Sequence, residues 1–142
     1  MSNRTFYNEV LTDHNIHPDN KQPLEGANMT KEGVNPSCGD DIVLMLTYED
    51  GIIKDAGFVG EGCAISQAST DIMINLIKGK TKAEAERLSD IFLRMIQGEA
   101  SDEEIEELEE GAALQDISHM PARVKCAVLG WRTLNEMLKN AD

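Results

Sequence analysis

Several things are scarce in this sequence. Aromatic residues make up 4% of its 142 positions, so a core must rest on Ile, Leu, Val, Met and Ala. Basic residues number 13 against 26 acidic ones, a formal net charge of −13. That imbalance argues against nucleic acid or an anionic membrane as partner. No apolar run approaches the roughly 20 residues needed to span a bilayer. The N-terminus lacks the basic-then-apolar pattern of a secretory signal, so a cytoplasmic location is the expectation. The 3 cysteines form no CxxC pair and cannot all join in disulfides.

What is present fits one domain, residues 1–142, with 41% hydrophobic residues. Residues 3–15 read as a short amphipathic helix carrying Phe6, Val10 and Leu11, with His14 as a cap or surface residue and His17 before Pro18. Residues 18–28 are a loop, and 29–35 a weak edge strand. Asn35 to Asp40 is a turn. Ile42–Tyr48 and Ile52–Val59 are strands joined at Glu49-Asp50-Gly51 into an antiparallel hairpin. If its turn centres on Asp50, paired positions sum to about 100, and Asp40 faces Gly60. Position 37 then faces Cys63, so Cys38, Asp40 and Cys63 emerge at one end.

Residues 64–77 follow as a helix with Ile65, Ala68, Ile72 and Leu76 on one face, stopped at Gly79. Thr81 and Glu84 match a capping box for a helix to about Leu88, with a second helical segment at 89–97. Ser101 caps an acidic helical segment in which Ile105 and Leu108 give a thin apolar stripe and the glutamates a solvated face. Pro121 opens the last helix, whose stripe is Val124, Val128, Trp131 and Leu134 or Leu138. Strands followed by most of the helices read as α+β: a small antiparallel sheet of two to three strands packed with several helices.

Cys63 falls at a helix N-terminus and Cys126 in about the second turn of the last helix, flanked by Arg123 and Lys125. Both positions favour thiolates. Cys38, Asp40, Cys63 and Cys126 thus make a set of three soft donors and one carboxylate, suited to a tetrahedral metal or an iron–sulfur species. The carboxylate suggests a ligand that can leave. Spacing alone also leaves open three buried thiols or a Cys38–Cys63 redox pair. The stretch Gly57 to Gly62 lacks the Gly-Lys-Ser/Thr of a phosphate loop, and a Cys–His nucleophile would have only His119 near a cysteine in sequence.

The pieces Pro36-Ser37-Cys38-Gly39-Asp40, Gly60-Glu61-Gly62-Cys63-Ala64-Ile65-Ser66-Gln67-Ala68-Ser69, Lys78-Gly79-Lys80 and Pro121 to Cys126 resemble the IscU/SufU-like family of iron–sulfur cluster assembly proteins. The resemblance spans nearly the whole chain. It implies the IscU/NifU-N fold, with Cys38, Cys63 and Cys126 as the family cysteines and Asp40 as the family aspartate. Lys125 stands where the IscU branch has histidine, and an inserted acidic helical segment occupies about 96–117. Both features look like the zinc-binding SufU branch. That branch implies Zn2+ on Cys38, Asp40, Cys63 and Cys126, and persulfide sulfur received from a pyridoxal-phosphate cysteine desulfurase of the SufS type for downstream Suf cluster-assembly proteins. Cys38, on a Pro/Gly loop, is the expected acceptor. Arg123 would pair with Asp40 or a partner, and Lys125 would act by charge or contact. The alternative is a scaffold that assembles and transfers a [2Fe-2S] cluster, or iron, on the same ligands.

Overall fold

The computed structural model describes residues 9–14, 18–36 and 39–140. Its sheet is a meander in the order β1 (Met29–Asn35), β2 (Asp40–Glu49) and β3 (Ile52–Glu61), antiparallel throughout. Then come α1 (Ala64–Ile77), α2 (Lys82–Ile96), the short α3 (Asp102–Glu107), a 3-10 run (Glu109–His119) and α4 (Pro121–Lys139). This is the expected α+β class, with all three strands ahead of these helices. Residues 9–14 are helical, with Val10 and Leu11 buried. Phe6 and His17 lie outside the described residues.

Alternation decides which sheet face meets the helices. Asp40, Ile42, Leu44 and Leu46 on β2 are buried, and their neighbours are more exposed. The 29–35 segment is a full strand, paired with β2 along its whole length. The hairpin register differs from the expected one. Asp50 and Gly51 both take positive φ, 55° and 76°, as a two-residue primed turn requires, so Glu49 pairs with Ile52. A bulge at Thr47/Tyr48 moves the register one residue further, and Gly60 faces Ile42 rather than Asp40.

The expected break near Leu88 is absent. Lys82–Ile96 is one helix under a complete Thr81/Glu84 capping box. Ser89 is buried there, its hydroxyl donating to the Trp131 carbonyl at 3.5 Å. Helix α1 is buried almost all round, so it is the central element. The Phe92 and Trp131 rings stack at 4.2 Å between α2 and α4. Trp131 Nε1 donates to Ser69 Oγ at 3.1 Å, and Ser69 donates on to the Ala127 carbonyl at 2.6 Å, tying α4 to α1.

The acidic segment is more embedded than a solvated helix. It breaks after α3, where Glu109 takes φ 52°, and continues as a 3-10 run. Leu108, Leu114 and Ile117 are fully buried, so the segment contributes core rather than a thin stripe. Its glutamates are engaged too: Arg94 binds Glu104 with two bonds of 2.9 and 2.5 Å, and Arg87 binds Glu107 with two of 2.5 and 2.7 Å.

Candidate metal centre

Three elements deliver three donors to one point. Asn35 and Asp40 are paired at the open end of β1 and β2, so the connection between them has to close within residues 36–39. Gly39, at φ 70°, donates its N–H to the Pro36 carbonyl at 3.4 Å in that turn. Strand β3 runs on to Glu61, and Cys63 becomes the N-cap of α1, its sulfur accepting the Ser66 N–H at 3.4 Å. Cys126 enters from the second turn of α4 and is 1% exposed.

The two glycines around Glu61 allow this meeting. Gly60 takes φ 137°, and a Cβ there would stand 2.1 Å from the Asp41 carbonyl. A Cβ on Gly62 would meet Asp40 Oδ1 at 2.5 Å and Ser66 Oγ at 2.6 Å. Both bare backbones are needed for the chain to pass over Asp40.

Asp40 Oδ, Cys63 Sγ and Cys126 Sγ all lie within 4.8 Å of one another. Ligand atoms around a tetrahedral zinc stand roughly 3.5–3.8 Å apart, so a small contraction would seat an ion. The surroundings fit that ion as well. Asp40 is 1% exposed and makes no ion pair with any described Lys, Arg or His. Its Oδ1 accepts the Cys63 N–H at 2.8 Å and the Ser66 hydroxyl at 3.1 Å. Its Oδ2 accepts, among the described residues, only the Asn35 amide, at 3.4 Å. Nearby, Gln67 Oε1 is a buried acceptor with no donor. A buried carboxylate held by neutral donors is costly, and a bound cation compensates it.

Of the residues nominated from sequence, Asp40, Cys63 and Cys126 are brought together, and Cys38 lies outside the described residues. Arg123 and Lys125 are exposed on the first turns of α4, and Arg123 makes no ion pair with Asp40. Asn35 and Ser66, which hold Asp40, were not singled out. Each is a polar residue at the edge of an element, next to a motif residue, and spacing alone gives such residues no role.

His14 is neither a cap nor a surface residue. It is 5% exposed, with Nδ1 at 2.6 Å from Asp71 Oδ2 and Nε2 at 3.0 Å from Glu110 Oε1. A carboxylate partner on each ring nitrogen favours the protonated ring, which can donate from both. Burial works to lower its pKa. The hydrogen bonds to Asp71 and Glu110 outweigh that, and the net result is raised.

The model of the family described as the NifU-like N terminal domain matches residues 6–127. The chain belongs to this family. It is 41% identical over 136 residues to the iron-sulfur cluster assembly scaffold protein IscU of Thermotoga maritima, covering 96% of this chain and 94% of that one. It is 42% identical over 132 residues to the zinc-dependent sulfurtransferase SufU of Bacillus subtilis, covering 93% and 88%. A crystal structure described as a putative iron-sulfur cluster assembly scaffold protein for the SUF system, from Fervidobacterium islandicum, superposes with a TM-score of 0.86 at 38% identity. It covers 92% of this chain and 94% of that one. Among the described residues no helix is long and apolar enough to cross a membrane.

Proposed function

We propose that this single-domain chain is a zinc-binding sulfur acceptor in iron–sulfur cluster assembly, working in the cytoplasm with a cysteine desulfurase. The observation that carries the reading is the buried Asp40 carboxylate beside two thiols, with no cation paired to it among the described residues. The 42% identical relative described as a zinc-dependent sulfurtransferase supports it.

Cys63 and Cys126 would hold the ion from two helices, Asp40 from the end of β2, and Cys38 would complete a set of four. Zinc held there would keep these thiols deprotonated at neutral pH. The protein's own residues then divide the work. Cys63 N–H and Ser66 hold Asp40 Oδ1, so the carboxylate keeps its place whether or not Oδ2 is engaged. Cys63 and Cys126, anchored in helices, stay as ligands. Cys38, next to Gly39 in the turn, is the acceptor.

In the transfer step the Cys38 thiolate attacks the terminal sulfur of the desulfurase persulfide. The S–S bond of that persulfide breaks, the desulfurase cysteine leaves as a thiolate, and Cys38 carries the sulfur as a new persulfide. Arg123 and Lys125, exposed on the first turns of α4 beside Cys126 in the chain, contact the partner. Downstream Suf assembly proteins then receive the sulfur.

The test is peptide mass mapping after incubation with a SufS-type desulfurase and cysteine. One added sulfur on Cys38, abolished in Cys38→Ser, is expected; normal uptake by Cys38→Ser overturns the assignment. A scaffold role rests on the same thiolate donors and on the IscU relative. It predicts instead a stable [2Fe-2S] spectrum at stoichiometric occupancy after anaerobic reconstitution.

A further inference from the structure

Asn35 is 7% exposed, and its side-chain amide touches two of the candidate ligands, Asp40 and Cys126. Its Nδ2 lies 3.4 Å from Asp40 Oδ2 and 3.9 Å from Cys126 Sγ. The amide carries two hydrogens, one for each. We propose that Asn35 is a positioning residue of the metal centre, spacing Asp40 Oδ2 and Cys126 Sγ for a shared ion and setting how firmly each holds it. This inference rests on the metal-binding reading above.

One oxygen of Asp40 remains for an ion. Asp40 Oδ1 already accepts two donors, from Cys63 and Ser66. Among the described residues Oδ2 has only the long contact from Asn35, so Oδ2 is the oxygen that would face an ion. Asn35 and the ion therefore share that oxygen. When Asp40 loosens its grip on the ion, the Asn35 amide is in place to take up the freed lone pair, so release does not leave a buried charge unsatisfied. The same amide supplies an N–H to the Cys126 sulfur, which draws density from the thiolate and makes it a weaker donor.

Backbone geometry gives the amide its authority. Asn35 is the last residue of β1 and is paired with Asp40 across the strands, so its side chain is fixed relative to Asp40 by the sheet. The segment between them contains Cys38, so one residue is coupled to two ligands in space and to the acceptor through the chain. Nothing at this position is needed for the core: the residues around it that fill the interior, Ile42 and Leu44, belong to β2.

The test uses cobalt(II) as the probe, loaded into the full chain under anaerobic conditions. Wild type and Asn35→Ala are compared by thiolate-to-cobalt charge-transfer band and by competition with a chromophoric chelator. Removing the amide should lower the band energy, because the thiolate loses a hydrogen bond, and should weaken cobalt binding about tenfold or more, because losing the spacing of Oδ2 and Sγ outweighs the stronger donation of the bare thiolate. The metal-free melting temperature separates this from loss of fold. Asn35→Leu, which is close in shape and carries neither donor nor charge, serves as the second variant and should shift both readouts in the same direction as Asn35→Ala. A wild type that binds, with both variants matching it in band energy and affinity, overturns the role of Asn35 alone. A wild type that takes up no cobalt overturns the metal reading and this inference with it.

Discussion

Two aspartates of this chain are buried to the same degree and do different things. Asp40 is 1% exposed and Asp71 is 0%. Asp71 is a closed account of charge and hydrogen bonds. Its Oδ1 accepts the Asn20 N–H at 2.9 Å and the Asn20 amide at 3.0 Å, and its Oδ2 faces the His14 imidazolium at 2.6 Å. Asp40 has neutral donors, two thiols beside it, and no cation among the described residues. Burial of a carboxylate therefore does not mark a functional site; what marks it is a missing counter-charge among soft donors. The Asp71 cluster is architecture. It docks the N-terminal helical stretch onto α1 and, through Glu110, onto the acidic segment.

Substitutions at the two aspartates should therefore have crossed effects. The largest is expected at Asp71. Asp71→Ala strands the buried imidazolium and should cost about 3–5 kcal/mol of stability, measured by denaturant unfolding, while the folded fraction still binds metal. Asp40→Asn should do the reverse, leaving metal-free stability nearly unchanged and lowering zinc affinity in a chelator competition.

Metal removal comes next. If zinc binds the folded chain, a free concentration one hundred times its Kd stabilises the fold by about 2.7 kcal/mol. Chelation should lower the melting temperature of wild type accordingly and leave that of Cys63→Ser where it was.

A smaller effect concerns pH. The pKa of His14 is raised in the folded state, so its contribution is fully present below the unfolded value of about 6.5. It is lost as pH rises through the folded value. Wild type should lose melting temperature as pH climbs above about 6.5, and His14→Gln should flatten that slope while leaving the metal centre intact. The smallest effect lies on the exposed clamp between α2 and α3. The Arg94 guanidinium and the Ser101 cap hold the Glu104 carboxyl down to about 2. That stabilisation is present above the ordinary glutamate value of about 4.3 and is lost as pH falls towards 2. Glu104→Gln should remove the part of the acid-induced decline that falls in this window, a change small enough to need parallel melts.

Legibility from sequence follows the range of the interactions. Helix α1, the capping box at Thr81 and the start of α4 at Pro121 rest on contacts within a few residues, and their periodicity is readable. The antiparallel sheet was readable as a class. Its register was not, because the bulge at Thr47/Tyr48 leaves no composition signal. The role of His14 was hidden because its partners lie 57 and 96 positions away in the chain. The acidic segment misled for a similar reason: Glu-rich composition masks Leu108, Leu114 and Ile117, whose burial depends on what packs over them. At the metal centre the donor types, Cys and Asp, can be nominated from chemistry, whereas Asn35 and Ser66 gain meaning only from where the strands and α1 place them.

The measurement that tests the account most directly is a native mass spectrum of the anaerobically purified chain, alongside Cys63→Ser and Asp71→Asn. The account predicts one zinc per chain in wild type and in Asp71→Asn, and none in Cys63→Ser. Zinc retained by Cys63→Ser, or absent from wild type supplied with zinc, would contradict it.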